Sequence, residues 1–462
     1  MTRQHFSRRR VLGGASAGIA ASIAGCLPGD GGDGGDGGDG GGDGGPSTAE
    51  QDRSAEIHVL TDYTGENSWG PVWEEVKQGF EEQDEATLNI EQVGMQGSGE
   101  DRLSTLIQSG DAPEMFMGTI TQVGDLIAQG QTITLNDTLD ELVEANGDML
   151  SRSTVEAGGD VRMLPHGVYL GGCLQYRTDI YEQLGLSVPQ TMDELVENAK
   201  AIDEAEEGPA GSARGFALPA TRSGKAGSDL ANFVYNCGGD FWRYTNEEEN
   251  EVELDFAEED VVPALEIMAD LAEYSPDPAN MNWGPTIVQW IQGNIGQCIM
   301  NNAWLNGAAY ANDSPIWRVT EQSLIPLMDR SLDPIDRGWA LADGTPILAP
   351  SDNHAGAKAL WKYMYGSPEK QADKNIIEPM RFLPPYEDVT QSDTYQNAPI
   401  FQDAPSLLER NQRMIDEFAP ELGADRPSNI ATLYAGRFAI DAELVSAVVV
   451  EGTDPAEAHQ AA

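Results

Sequence analysis

Positive charge is scarce in this chain of 462 residues. Lys and Arg total 27 against 77 Asp and Glu, which gives a formal net charge of −50. So acidic a chain repels the phosphates of nucleic acid, and nucleic acid is not expected as a partner. The same surplus makes a compact fold repel itself unless salt shortens the screening length, to about 3 Å at 1 M. Abundant carboxylates with few lysines are typical of proteins from halophiles.

Cysteine and histidine are also rare, with 4 and 5 residues. Cys173, Cys237 and Cys298 allow at most one disulfide, and buried free thiols are the favoured state. No C-x-x-C motif or histidine cluster indicates a metal site, and no cofactor is expected. No activated Ser, Cys or His arrangement is present, and among so many acids a carboxylate pair says little about catalysis. The sequence therefore favours a protein that is not an enzyme, with an anchored secreted glycoside hydrolase as a less favoured alternative.

The amino terminus has only a short hydrophobic run. Residues 11–24 are weakly apolar, and 14 residues are too few to span a bilayer of about 30 Å. The preceding "SRRRVL" (Ser7 to Leu12) has the arrangement of a twin-arginine export signal, and "IAGC", which ends at Cys26, resembles a lipobox. We therefore expect residues 1–26 to be a signal with a lipobox. Cys26 would carry lipid and hold the protein at the extracellular face of the cell membrane.

Residues 27–54 are rich in Gly and Asp and offer almost no apolar side chains for a core. The run fits G-x-G-x-x-G, but no strand precedes it and no helix follows, so a dinucleotide site is not predicted. The composition indicates a flexible tether that repulsion between aspartates extends further.

Beyond the tether, predicted strands and helices alternate. The segment "SAEIHVLTDYTG" (54–65) predicts a buried strand, "WGPVWEEVKQGFEEQ" (69–83) a helix, and "TLNIEQVGM" (87–95) a second strand. Such alternation is typical of a parallel sheet covered on both faces, with ligands bound at the carboxyl ends of its strands. A body of roughly 400 residues is too long for one compact core, so two lobes are expected.

Several segments resemble a known family in the family's own order. They are "LQYRTDIYEQLGLSVPQTMDEL" (174–195), "QGNIGQCIMNNAWL" (292–305), "RGWALADGTPILAPSDNHAGAKALWKYMYGSPEKQ" (337–371), "RFLPPYEDV" (381–389) and "GTDPAEAHQAA" (452–462). With these segments the chain resembles the extracellular solute-binding proteins of ABC importers. It is most similar to the sugar-binding group that includes maltose-binding protein, here as a lipoprotein of the halophilic archaeal type. Ala303 and the "MNN" before it depart from the family pattern on the ligand side, so the ligand of one member is not carried over.

The resemblance implies an α/β fold of two lobes, periplasmic-binding-protein-like, with a cleft between them and hinge crossings. Crossings are expected near 164–169, near 317–324 and near Tyr365. Lobe 1 would then hold residues 55–165 and 318–364, and lobe 2 residues 166–317 and 366–455. The resemblance also implies a monomer that partners with an ABC importer permease and binds a mono- or oligosaccharide.

A sugar site needs flat apolar faces for the sugar rings and polar groups for the hydroxyls. Trp304 is the leading candidate because it begins a helix directly after a predicted strand. Trp339 lies where the chain re-enters the first lobe, and Trp69 follows the first strand. For these tryptophans core packing is the alternative. The other candidates lie in loops, at the crossing or in a late helix: Asn67, Gln96, Thr119, Tyr169, Arg222, Asp240, Trp242 and Tyr434.

The ligand class has an alternative. A polyamine would require carboxylates and aromatic faces together in the cleft, and Asp240 with Trp242 could supply both. A polyamine or another small solute on the same fold is therefore retained beside the carbohydrate.

Overall fold

The computed structural model describes a defined set of residues: 5–6, 56–83, 86–93, 98–118, 123–124, 126–127, 129–150, 156–157, 160–239, 242–246, 251–254, 257–333, 337–424 and 440–462. The predicted lipobox with Cys26 and the predicted tether lie outside them. Within these ranges, no helix has the length and apolar character that a membrane crossing requires. Cys173, Cys237 and Cys298 are free thiols, as the sequence favours.

The strands are β1 His5–Phe6, β2 Ile57–Thr61, β3 Leu88–Gln92, β4 Met115–Met117, β5 Glu156–Ala157, β6 Asp160–Val161, β7 Leu164–Gly171, β8 Cys173–Arg177, β9 Trp242–Asn246, β10 Glu251–Leu254, β11 Gln297–Met300, β12 Thr320–Leu324 and β13 Trp339–Thr345. The α-helices are α1 Gly70–Glu81, α2 Ser98–Ser109, α3 Asn136–Asn146, α4 Thr178–Leu184, α5 Met192–Asp203, α6 Gly224–Asn236, α7 Glu258–Ala272, α8 Trp283–Ile291, α9 Trp304–Ala311, α10 His354–Tyr365, α11 Pro368–Asn375, α12 Glu387–Gln391, α13 Asp393–Gln396, α14 Pro399–Asp403, α15 Pro405–Arg413, α16 Ala419–Glu421, α17 Ile440–Val445 and α18 Pro455–Ala461. Short π-helical and 3-10 turns are Gly65–Trp69, Ala210–Ser212, Pro278–Asn280, Pro315–Arg318, Met414–Phe418 and Ser446–Val450.

A parallel sheet of order β3-β2-β4 forms the centre of the first lobe. The strands predicted within 54–65 and 87–95 are confirmed as β2 and β3, and β2 pairs with β3 and β4 in parallel. Helix α1 covers the sheet because Trp73, Val76 and Phe80 recur at helical spacing on one buried face. The carboxyl end of β2 therefore points its loop, which begins at Asp62, toward the ligand side of the sheet.

An antiparallel sheet of order β11-β8-β12 lies in the second lobe. Its buried face packs with α5, α6 and α7, which together bury a cluster of side chains that includes Leu174, Leu230 and Leu265. Helix α5 begins after Thr191, whose side chain accepts a hydrogen bond from the Glu194 amide. Three residues separate the end of β11 from the start of helix α9, so Trp304 stands at the edge of this sheet.

A two-stranded antiparallel ribbon of β7 and β13 connects the lobes. Strand β7 continues through Gly172, at φ +97°, into β8 of the second sheet. Here the structure differs from the expected crossing near 317–324, because Thr320–Leu324 pairs with β8 as an edge strand of the second sheet. The strand that returns alongside β7 is instead β13. Tyr365, expected at a third crossing, is fully buried at the end of α10.

Residues 368–407 pack with the core of the first lobe. Tyr386 forms a bridge with Met149, and Leu407 belongs to the same buried cluster as Ile57. The sequence assigns this stretch to the second lobe, and its packing was not foreseen because Met149 and Ile57 lie 237 and 350 residues before their partners Tyr386 and Leu407. The lobe boundaries themselves stay a prediction.

Candidate functional site

Trp304 lies where elements of both lobes meet. Its half-buried indole stands 6.1 Å from the ring of Trp283, centroid to centroid, at an interplanar angle of 37°. The turn before it is tight, since Asn302 adopts φ +48° and its side-chain amide donates to the carbonyls of Val168 and Arg381. This turn fixes the start of α9 against the ribbon and directs the indole toward Arg381.

Arg381 is the functional candidate that sequence reasoning missed. Its guanidinium carbon lies 4.9 Å from the ring of Trp304 and 5.2 Å from the ring of Tyr63. The segment that carries it is held by the pair of backbone hydrogen bonds between Val168 and Leu383. The only sequence signal was a charged residue between apolar neighbours in "PMRFLPP". Such a residue is paired or functional far more often than free in a core.

Tyr169 is brought to the same place, as the sequence suggested. Its hydroxyl oxygen accepts a hydrogen bond of 3.1 Å from Nε of Arg381, and its ring lies 4.6 Å from that of Phe382. Burial raises the pKa of Tyr169, so the phenol keeps its proton. The hydroxyl can thus donate to a solute while accepting from Arg381.

Asp62 is the first residue after β2 and adds a carboxyl to this group. Burial, reinforced by the charge of Asp343, raises the pKa of Asp62 to about 7, while Arg381 acts in the opposite direction. We call Asp62, Tyr169, Trp304 and Arg381 the interlobe group. It combines an aromatic face with a carboxyl, a hydroxyl and a guanidinium.

A buried hydrogen-bonded triad supports the interlobe group. The Tyr63 hydroxyl donates to Oδ2 of Asp343 at 2.5 Å, and Nε2 of His166 lies 3.1 Å from the Tyr63 oxygen. All three side chains are buried, and they come from the end of β2, from β7 and from β13. The triad therefore fixes the loop of Asp62 relative to the ribbon that connects the lobes.

Trp69 and Trp339 pack against the protein. Trp69 is only 3 % exposed, between Tyr63 at 5.2 Å and Trp73 at 5.7 Å. It belongs to the core of the first lobe and has no free face for a sugar ring, which corrects its assignment as a stacking residue. The ring of Trp339 lies directly over Gly171, where a Cβ atom would overlap it. One face of Trp339 is therefore covered.

Arg222 is exposed and forms an ion pair of 3.2 Å with Glu451. No contact of its guanidinium with the interlobe group is found among the described residues, so its proposed role in the site is not supported. Asn67 lies in the π-helical turn Gly65–Trp69 and Trp242 in β9, but their side chains fall outside the described part. Four further candidates lie outside the described residues altogether: Gln96, Thr119, Asp240 and Tyr434.

Two α/β lobes with a connecting ribbon and a polar, aromatic group between them define a solute-binding fold. The chain belongs to the family of bacterial extracellular solute-binding proteins, whose profile matches residues 32–371. No protein of curated function matches the sequence.

Solved structures confirm the two-lobed, periplasmic-binding-protein-like fold. The maltose-bound MalE3 of T. maritima superposes with a TM-score of 0.69 at 18% identity, covering 88% of this chain and 97% of its own. A solute-binding protein of an ABC transporter from Agrobacterium radiobacter K84, in complex with ribitol, gives 0.68 at 17% identity over 88% and 96%. The GacH receptor of Streptomyces glaucescens, studied with acarbose, gives 0.66 at 16% identity over the same shares.

Proposed function

We propose that the protein is a lipid-anchored extracellular receptor that captures a carbohydrate or polyol and delivers it to the permease of an ABC importer. The observation that carries this proposal is the interlobe group, where the indole of Trp304 lies beside the guanidinium of Arg381. Tyr169 and Asp62 complete a surface suited to a molecule with flat apolar faces and many hydroxyls.

Each member of the group has a distinct part in binding. The indole of Trp304 stacks on the apolar face of a sugar ring, and the planar guanidinium of Arg381 donates two parallel hydrogen bonds to neighbouring hydroxyls. The carboxyl of Asp62 and the hydroxyl of Tyr169 form hydrogen bonds with the remaining hydroxyls of the sugar. Because these residues come from both lobes, a solute that contacts all of them binds the closed state more tightly and draws the lobes together.

The ligands of structurally similar proteins support the class of solute. The three receptors compared above were solved with maltose, with ribitol and with acarbose. All are neutral or weakly basic polyhydroxyl compounds, and none is a simple ion. A cleft built from an aromatic ring and hydroxyl-binding groups suits the same chemistry.

The anchor follows from the amino-terminal segments, and the permease partner follows from the family. Lipid on Cys26 would hold the protein at the membrane surface, and the 28-residue tether 27–54 would reach on the order of 30 Å. A receptor on such a tether stays within reach of a permease in the same membrane. It would act as a monomer, and the permease would recognise the closed form of this receptor.

The alternatives receive less support. The polyamine hypothesis relied on Asp240 and Trp242, whose side chains are outside the described part, so no described contact supports it. A glycoside hydrolase would need a second carboxyl beside Asp62, and Asp343, whose charge acts on Asp62, is buried and hydrogen-bonded to Tyr63 away from a bound sugar. The family of solute-binding proteins also points to binding and not to catalysis.

The test is calorimetric titration of the full chain, kept soluble by Cys26→Ser, in about 2 M salt. The panel contains sugars, sugar alcohols and polyamines. We expect one sugar or polyol to bind and Trp304→Ala to weaken it by tenfold or more, since a stacked ring contributes about 1 kcal/mol beyond its buried area. Trp304→Phe is the matched control, because it keeps an aromatic face, and should retain most of the affinity.

Two results would change the proposal. Binding of a polyamine alone would keep the receptor and replace the solute class. A sugar whose affinity is unchanged in a folded Trp304→Ala protein would place the site elsewhere on the molecule.

A further inference from the structure

A cavity of about 470 Å³ opens in the second lobe, away from the interlobe group. Its wall is formed by β12, by the loop that follows it, by the loop at 188–190 and by the helical segment around Arg413 and Phe418. None of the four residues of the interlobe group lines it. The volume lies within the range of about 300–1,000 Å³ that small-molecule sites occupy.

Guanidinium groups are concentrated in this wall. Arg330, Arg337 and Arg413 all line the cavity, although the chain has only 27 basic residues against 77 acidic ones. Glu321 lies 3.2 Å from Arg413 and 2.8 Å from Arg410, so one carboxylate serves two guanidinium groups. Arg330 is exposed and forms an ion pair with Glu194, so carboxylates balance the guanidinium groups here and do not outnumber them as they do in the whole molecule.

Arg337 has no carboxylate at ion-pair distance among the described residues. Its guanidinium donates to the backbone carbonyl of Ile325 and to Oδ1 of Asn236, which are both neutral acceptors. Burial lowers the pKa of Arg337, and the more distant charge of Glu421 only partly opposes this effect. A bound anion would stabilise a cation of this kind, which is partly removed from solvent and held by neutral groups.

Two further donors on the wall have no partner in the described part of the chain. The hydroxyl of Ser323 and Nε of Arg413 are buried and make no hydrogen bond within the described structure. Buried polar groups are usually paired, so these two donors leave hydrogen-bonding capacity for a ligand at the cavity wall. Leu324 and Phe418 add apolar surface next to them.

We propose that this cavity binds a small organic anion, whose carboxylate or phosphate group is held by Arg337 and Arg413 and whose apolar part lies on Leu324 and Phe418. Guanidinium groups bind such oxyanions through paired, charge-assisted hydrogen bonds. Glu417, which lines the exposed rim, opposes a second anionic group on that side. The site is separate from the interlobe group and does not rest on the solute proposed for it.

The experiment is calorimetric titration of the full chain with citrate and with 3-phosphoglycerate, in concentrated potassium chloride. We expect at least one probe to bind with a dissociation constant of about 1 mM or tighter. Arg337→Gln should weaken that probe at least tenfold, and Arg413→Lys should weaken it severalfold, because lysine keeps the charge but loses the planar fork. The matched control is Arg102→Gln, which removes an arginine paired with Glu91 in the first lobe and should leave the affinity unchanged.

Three outcomes would overturn the proposal. The first is that neither probe binds. The second is an affinity that is unchanged in Arg337→Gln. If Arg337→Gln does not unfold cooperatively and is therefore misfolded, the affinity of Arg413→Lys decides in its place. The third is a loss of anion binding in Trp304→Ala, which would place the anion in the interlobe group and not in this cavity.

Discussion

The carboxyl of Asp62 is held in an environment that favours its proton. It lies just after β2, partly buried near Asp343, and the nearby Arg381 only partly offsets that environment. A carboxyl that hydrogen-bonds a sugar hydroxyl can do so either as donor or as acceptor. With a pKa of about 7, Asp62 can change between these two roles near neutral pH.

This placement predicts a pH dependence of stability. Between the ordinary value of 3.8 and about 7, folded Asp62 keeps a proton that the unfolded chain has released. Its contribution therefore becomes more destabilising as pH rises through this window and is constant above it. Asp62→Asn should raise the free energy of unfolding by up to about 4 kcal/mol at pH 8 and change it little near pH 4, since each pH unit is worth about 1.4 kcal/mol.

Denaturant unfolding of the solute-free protein at the two pH values measures the effect. Asp140→Asn, on the exposed face of α3, is the control and should show the same small effect at both values. If the Asp62→Asn difference did not grow with pH, the carboxyl would be ionised in the folded protein across the whole range.

Among single residues, local sequence could not tell the tryptophans apart. Trp69 and Trp304 both stand at the start of a helix after a strand, and the same pattern predicted a ligand role for each. What separates them is contact with distant residues, since Trp69 meets Trp73 in the core and Trp304 meets Arg381. Arg381 was missed for the same reason, because nothing within its own segment places it beside Tyr63.

At the scale of elements, the close approach of α9 to the segment before Arg381 assembles the interlobe group. Gly307 in α9 faces the backbone carbonyl of Pro379 so closely that a Cβ atom would overlap the oxygen. Trp304 lies three residues before this contact and Arg381 two residues after Pro379. The missing side chain at Gly307 is therefore what allows the indole and the guanidinium to meet.

Gly307→Ala should consequently separate the two elements. Backbone cannot yield as a flexible side chain does, so we expect a loss of about 1–3 kcal/mol in the free energy of unfolding. The affinity for the solute should fall as well, because Trp304 and Arg381 move apart. Denaturant unfolding and calorimetric titration measure the two effects.

The control is Gly284→Ala in α8. There the nearest atom to an added Cβ is Oδ1 of Asn282 at 3.8 Å, and an alanine in a helix is favoured by about 0.5–1 kcal/mol. A Gly307→Ala protein as stable as Gly284→Ala would show that α9 does not depend on this contact.

Helices and strands could be predicted where the spacing of apolar residues was regular. The place of a strand was harder to predict where pairing with distant strands decides it. The strand at 57–61 and the helix at 70–81 followed from apolar spacing alone. Residues 320–324 were expected to cross between lobes, yet they pair with β8, and β13 takes the place beside β7. The first strand has five residues and the second seven, but their pairing with β8 and β7 is what shows which of them returns between the lobes.

At the scale of the whole molecule, the surplus of acid governs stability. With 77 acidic and 27 basic residues, most surface carboxylates have no cation to pair with. Surface ion pairs such as Lys358 with Asp137, at 2.9 Å, contribute only about 0–1 kcal/mol each. Salt weakens both the few ion pairs and the many repulsions between carboxylates. Because the repulsions outnumber the ion pairs, weakening both favours the folded protein.

The folded protein should therefore gain stability from salt. Raising potassium chloride from about 0.1 M to 1 M shortens the screening length from about 10 Å to 3 Å, which removes repulsion between neighbouring carboxylates. We expect the midpoint of thermal unfolding to rise by at least about 5 °C, the response of a large protein to a few kcal/mol. Sucrose, a neutral solute that favours burial by exclusion, separates charge screening from preferential exclusion and should give a smaller rise at equal osmolality. A midpoint that stayed constant or fell with salt would mean that the carboxylates are compensated in the fold, and the halophilic interpretation of the composition would fail.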